Sequence, residues 1–189
     1  MIQIRIHGRG GQGVVAMAEI LAIAFFNDGK VAQAFPHFGV ERSGAPIQSF
    51  VRVSDKEISL REHVYNPDIL IILDDSLISK ANIFEGIKAN TKVVINSKSD
   101  VTKLLIEFKK SSILPKAFSE KNIFVSDATT AALEVFGKNM VNTAMLGALS
   151  KIPGVIKKES TILAVKEKFD YKGAEIVEKN ILLINKITN

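Results

Sequence analysis

The chain begins by alternating. Ile2-Gln3-Ile4-Arg5-Ile6 puts an apolar side chain at every second position, the period of a strand with one dry face. From Val14 to Asn27 the alternation stops and nearly every position is apolar. That predicts a helix buried on most sides, with Gly29 standing where a helix C-terminal glycine belongs. Val31 to Phe35 predicts a second strand and Ile47 to Val53, alternating again, a third. Asp55-Lys56 predicts a turn, after which Glu57 to Ser59 pairs back as a short hairpin.

Further along, the pattern changes character. Ile69 to Leu73 is a continuous aliphatic run between Pro67-Asp68 and Asp74-Asp75, as in a parallel strand covered on both faces. Lys92 to Ile95 and Asn122 to Val125 repeat it, with helical patterns between them at 76–89 and 100–110. The C-terminal third reads as helices at 127–137, 140–150, 158–169 and 172–187. Strands alternating with helices predict the α/β class. The expectation is a three-layer, Rossmann-like fold with a mostly parallel sheet, a helical C-terminal third and a single domain spanning 1–189.

Composition narrows the chemistry. The chain has 189 residues, 47% of them hydrophobic, enough for a core without staples. It has no cysteine, which removes disulfides, thiolate metal ligation, iron–sulfur ligation and a thiol nucleophile together. A cytoplasmic location is the matching expectation. The net charge of +5 is dispersed, and the basic pairs Lys109-Lys110 and Lys157-Lys158 lack interleaved aromatics, so no nucleic-acid stripe is read. The most apolar stretch, Val14 to Phe26, is interrupted by Glu19 and is too short to cross a bilayer. Met1 leads straight into the first strand, so no targeting segment is expected.

Gly8-Arg9-Gly10-Gly11-Gln12-Gly13 then stands out, because it lies between a strand and a helix. Glycines there let backbone amides approach an anion at a helix N-terminus, and Arg9 and Gln12 offer further donors. The other reading is that the glycines permit only a tight turn and close packing. A nicotinamide site would need a carboxylate at the end of the second strand. That strand ends Gln33-Ala34-Phe35, so an anion of another kind, or a partner's loop, suits the site better.

Other candidates are weaker. His7, His37 and His63 are the only histidines, and none has metal-ligand spacing with another; ordinary hydrogen-bonded roles are expected. Asp74 and Asp75 suit acid–base work or a cation, and suit a helix cap better; Asp127 reads the same way. In the long stretch from Phe35 to Pro46, Phe35, Phe38, Glu41 and Arg42 combine aromatics with an arginine in the manner of an interface anchor. No catalytic residue and no metal ligand is assigned to this chain.

Taken together, the glycine loop, Gln33-Ala34-Phe35-Pro36 and Phe38-Gly39-Val40-Glu41-Arg42-Ser43-Gly44-Ala45-Pro46 closely resemble the gamma subunits of pyruvate (2-oxoacid):ferredoxin oxidoreductases. The resemblance continues through Ile47–Val53, Pro67-Asp68 and the helical C-terminus, and so covers essentially the whole chain. It implies a Rossmann-like subunit of an enzyme that oxidatively decarboxylates a 2-oxoacid, transfers the acyl group to coenzyme A and passes electrons to ferredoxin. It implies alpha, beta and delta-type partner subunits, with thiamine diphosphate, Mg and the iron–sulfur clusters held by those other chains. Gly8 to Gly13 would face the coenzyme A or thiamine diphosphate region. Family members often carry proline where this chain has Val40 and a second arginine where it has Ser43, so Arg42 alone keeps the guanidinium contact. The Phe-Pro and Gly-Ala-Pro elements resemble the pyruvate and branched-chain branch more than the 2-oxoglutarate branch. A free-standing nucleotide-binding protein and a purely structural adaptor are the alternatives.

Overall fold

The alternating N-terminal run becomes a central strand. The structure, a computed structural model, describes residues 1–37, 44–79, 82–110 and 114–189. Strand β1 (Ile2–Arg9) leads into helix α1 (Val14–Asn27), β2 (Val31–His37) and β3 (Pro46–Ser54). Then come β4 (Ile69–Ile72), β5 (Lys92–Asn96), α2 (Val101–Lys109) and β6 (Ile123–Ser126). Helices α3 (Ala128–Phe136), α4 (Val141–Ser150), α5 (Lys158–Phe169) and α6 (Ala174–Thr188) complete the chain. The strands form a six-stranded sheet in the order β2-β3-β1-β4-β5-β6. β1, β4, β5 and β6 are parallel, and β3 pairs antiparallel with both β1 and β2. The α/β expectation holds, as does the helical C-terminal third.

The aliphatic strands bury both faces because their alternate residues feed two cores. Ile69 and Ile71 join Ile4, Ile6, Val51 and Val53 beneath α1 and the C-terminal helices. Leu70, Ile72, Val93 and Ile95 point the other way, beneath α2, Ile83, Phe84 and Phe118. Helix α4 sits inside the first core, with Val141 through Leu149 all buried. An all-round apolar helix needs such a position.

Two local expectations fail, for tertiary reasons. Among the described residues no helix runs over 76–89: Asp75–Leu77 is a single 3₁₀ turn, and 82–91 hold turns and irregular backbone. Gly86 has φ +72, which helical backbone cannot hold, and a Cβ there would strike the Tyr65 carbonyl. The Ile83 and Glu85 carbonyls accept from the Arg5 guanidinium at 2.9 and 2.6 Å. Glu57 to Ser59 does not pair back either. β3 already has β2 on one edge and β1 on the other, so no edge is left for it. The chain instead crosses the outer face of β1 and β3.

Candidate functional site

The glycine loop extends the β1–β3 ladder by a turn. Gly10 N–H donates to the Ala45 carbonyl at 2.9 Å, and Gly44 N–H donates to the Gly10 carbonyl at 3.2 Å. Gln12 N–H closes on the Arg9 carbonyl at 3.0 Å, and the Gln12 side-chain oxygen accepts from the Arg9 amide at 2.8 Å. The glycines divide by role. A Cβ at Gly8 would lie 2.5 Å from a Val14 methyl, and one at Gly13, φ +77, would lie 2.7 Å from the Asn142 side chain. These two are packing glycines. Gly11, φ +94 and exposed, has nothing within 4 Å of its Cβ position. The open part of the loop is therefore its tip.

Arg9 and Gln12 are held on the protein. Arg9 Nε donates to Asp74 at 3.1 Å and Gln12 Nε2 to the same Asp74 oxygen at 3.0 Å. Arg9 also reaches the Gly44 carbonyl and Ser76 Oγ. Burial alone would raise the Asp74 pKa. Hydrogen bonds from Ser76 and Gln12, with the Arg9 charge, outweigh it and hold the carboxyl below the usual range. Asp74 also accepts from Ser76 N–H as the expected cap. Asp75 accepts from Ser97 Oγ at 2.6 Å, and Asp127 caps α3 through Thr130 N–H.

What remains for a ligand is the start of α1. The first-turn amides of a helix have no partner within it. Helices α2 and α3 cover theirs with Asp100 and Asp127, whereas α1 starts at Gly13 with no side-chain cap and no acidic residue in its first turn. Beside it, a cavity of about 370 Å³ opens at the carboxyl ends of β4, β5 and β6, the usual ligand position of open α/β sheets. Its walls include Gln12, Asp74, Asp75, Lys98 and Asp127. Its carboxylates outnumber its ammonium group, so the cavity floor does not suit an anion.

The strand order removes the dinucleotide reading a second time. A classical site has β2 beside β1, presenting a carboxylate to the ribose. Here β3 lies between them, and β2 carries no carboxylate at all.

Of the expected interface residues, Phe38, Glu41 and Arg42 lie outside the described residues. Phe35 is half-buried, its ring 5.2 Å from that of Phe50 and beneath the Arg52 guanidinium at 5.1 Å. Two of the histidines meet: His37 Nδ1 and His63 Nε2 are 3.1 Å apart. His7 is buried, and its Nε2 has no hydrogen-bond partner among the described residues. Sequence reasoning passed over Arg5 and Arg52. The available signal was a charged side chain inside each of two predicted strands, with no acidic residue beside it in the strand.

Comparison with known proteins agrees with this architecture. The sequence matches the family described as pyruvate ferredoxin/flavodoxin oxidoreductase over residues 3–188. The chain belongs to this family. It is 42% identical over 180 residues to the pyruvate/ketoisovalerate oxidoreductases common subunit gamma of Pyrococcus furiosus, covering 95% of this chain and 91% of that one. It is 44% identical to the pyruvate synthase subunit PorC of Methanothermobacter thermautotrophicus, covering 95% and 90%. The crystal structure of the pyruvate oxidoreductase subunit PORC from Thermotoga maritima superposes with a TM-score of 0.79 at 32% identity, covering 99% of this chain and 94% of that one. Within the family the chain is of the gamma, or PorC, type, an oxidoreductase subunit, as the sequence resemblance implied. Among the described residues no helix is long and apolar enough to cross a membrane.

Proposed function

We propose that this chain is the gamma subunit of a 2-oxoacid:ferredoxin oxidoreductase, with pyruvate as the 2-oxoacid. It works in the cytoplasm with alpha, beta and delta-type subunits, and ferredoxin accepts the electrons. The reacting groups belong to the other chains. This one has no cysteine to ligate an iron–sulfur cluster, and its described residues contain no group of three His, Asp or Glu placed to hold a metal. Its residues thus do not fit thiamine diphosphate with Mg or the clusters, and no step is routed through those groups. Coenzyme A is different, because its phosphates suit unpaired amides at a helix N-terminus. When bound, it supplies the thiol that takes the acyl group. The Gly10–Gly11 tip and the first turn of α1 orient its anionic end.

The observation that carries this reading is the asymmetry among the glycines. Gly8 and Gly13 are required by packing, whereas Gly11 faces open space beside an uncapped helix. The test is Gly11→Asn, which tolerates positive φ yet adds a side chain at the tip. In the assembled enzyme the KM for coenzyme A should rise about tenfold, close to 1.4 kcal/mol, with subunit composition unchanged. An unchanged KM would transfer support to the structural adaptor, a reading favoured by the internal engagement of Arg9 and Gln12. Purification from the native host should recover thiamine- and cluster-binding chains with this one. Recovery as a free monomer would overturn the subunit assignment itself.

A further inference from the structure

Opposite α1, the outer face of β1, β3 and β2 has no helix over it among the described residues, and two arginines lie beneath its cover. Arg5 is 5% exposed and Arg52 is 1% exposed. A guanidinium stays charged when buried, and burying it without a carboxylate is costly. Burial pushes Arg5 down to about 10, with Glu85 opposing, so it remains a cation at neutral pH. Neither arginine forms an ion pair among the described residues. Backbone carbonyls surround them instead: those of Val64, Tyr65, Ile83 and Glu85 accept from Arg5, and those of Glu62 and His63 accept from Arg52. Carbonyl dipoles solvate a cation but leave its charge uncancelled. Arg5 Nε, Arg52 Nη1 and His7 Nε2 remain buried without a partner among the described residues.

Against Arg5 and His7 lies a cavity of about 350 Å³. At ~30 Å³ per water, it has room for about ten waters or one small organic molecule. The pleat explains who lines it. His7 of β1 is in register with Gln48 of β3, and Gln48 with His37 of β2, so the three form one row on this face. His63 hydrogen-bonds His37 across the rim, its ring stacked 5.1 Å from Phe50. Glu85 is the carboxylate among the lining residues, and it accepts from the Asn82 amide at the surface. The cavity thus has a cation at its base, imidazole and amide groups around it, and its one acidic side chain at the edge.

We infer that this cavity is a binding site for a small monocarboxylate, held by Arg5 and His7 under the His37–His63 rim. A carboxylate brings a single negative charge, which one guanidinium cancels, and the Arg5 donor left over by the four carbonyls is its Nε–H. A phosphate dianion would bring a second negative charge that Arg5 alone does not cancel. His7 cannot supply a second cation, because burial and then the Arg5 charge push its pKa down to about 3. As a neutral ring it can still donate one N–H. The site is separate from the glycine loop and stands whether or not coenzyme A uses that loop.

The test is a titration of the full-length chain at pH 7, following the imidazole nitrogen resonances by NMR. The probes are acetate and pyruvate, with inorganic phosphate and chloride at matched ionic strength as controls. His7 should shift saturably with both carboxylates, with half-saturation at ~1–10 mM, and should not respond to phosphate or chloride. In His7→Phe, the carboxylate-dependent rise in Tm should require about tenfold more ligand. Tyr65→Ala, at the exposed rim, should leave the His7 response in place. No saturable His7 shift with either acid would overturn the site, as would an equal response to phosphate. A His7→Phe variant that folds and binds as before would also overturn it. The wild-type titration decides even if that variant fails to fold. A bound-state His7 signal in the assembled complex before any acid is added would overturn a free ligand in favour of a partner's carboxylate.

Discussion

The two faces of β1 are equally dry and chemically opposite. Ile4 and Ile6 are 0% exposed beneath α1, while Arg5 and His7, one residue along, are 5% and 4% exposed on the other side. Helices cover the first face, so apart from their end turns the backbone groups above it are already paired within the helix and only apolar contact is wanted. Loops cover the second, and loops bring unpaired carbonyls. Arg5 supplies donors to those of Val64, Tyr65, Ile83 and Glu85, and thereby fastens two separate segments onto the sheet. Alternation therefore shows which side chains share a face. Whether that face is wet depends on what the rest of the chain lays over it.

The largest effect should come from removing the fastener. Arg5→Met keeps roughly the length and apolar stem of the side chain but leaves four buried or partly buried carbonyls without their donor. The expected loss is about 3–5 kcal/mol, measured by urea unfolding, because each stranded acceptor keeps its desolvation cost. A loss below about 1 kcal/mol would mean that the loops hold themselves in place, and the contrast between the faces would collapse.

Next in size is the effect of pH. His7 has a folded pKa of about 3 against an ordinary value of 6.5. Between those values the unfolded chain binds a proton that the native chain refuses. Stability therefore falls as pH drops from about 6.5 towards about 3, by up to ~1.4 kcal/mol per unit, and His7 contributes no slope above that window. His7→Gln should remove this component of the slope. An identical pH profile in the variant would show that His7 protonates freely in the native state.

Much of this was readable in the residues, and the failures have a common cause. The sheet strands, the apolar α1 and the buried α4 follow from local period and length. The caps at Asp74 and Asp127 follow from residue type and position. Legible too was the absence of a ribose carboxylate after β2, though not the insertion of β3 that makes it structural. Residues 76–89 read as helical because Ile83, Phe84 and Ile87 are spaced for it. Gly86 at φ +72 and the distant Arg5 decide otherwise. The His37–His63 contact joins a strand to a loop 26 residues away, and no spacing rule reaches that far. At the glycine loop the pattern was plain, yet the assignment of Arg9 and Gln12 to Asp74, 65 and 62 residues on, was invisible.

The smallest expected effect tests the apolar side of the comparison. Ile6→Val deletes one methyl from a position that is 0% exposed against α1. It should cost about 0.5–1.5 kcal/mol, the transfer of the lost group plus the small void it leaves. It removes no charge, donor or acceptor, so the loss should be the same at pH 5 and pH 8, where the His7 contribution differs. Unfolding the wild type and both variants at the two pH values yields the comparison directly. A parallel shift for Ile6→Val beside a pH-dependent one for His7→Gln is the expected pattern. If the Ile6→Val cost itself changed with pH, the two faces would be coupled through the strand, and the outer-face cations could no longer be treated apart from the core.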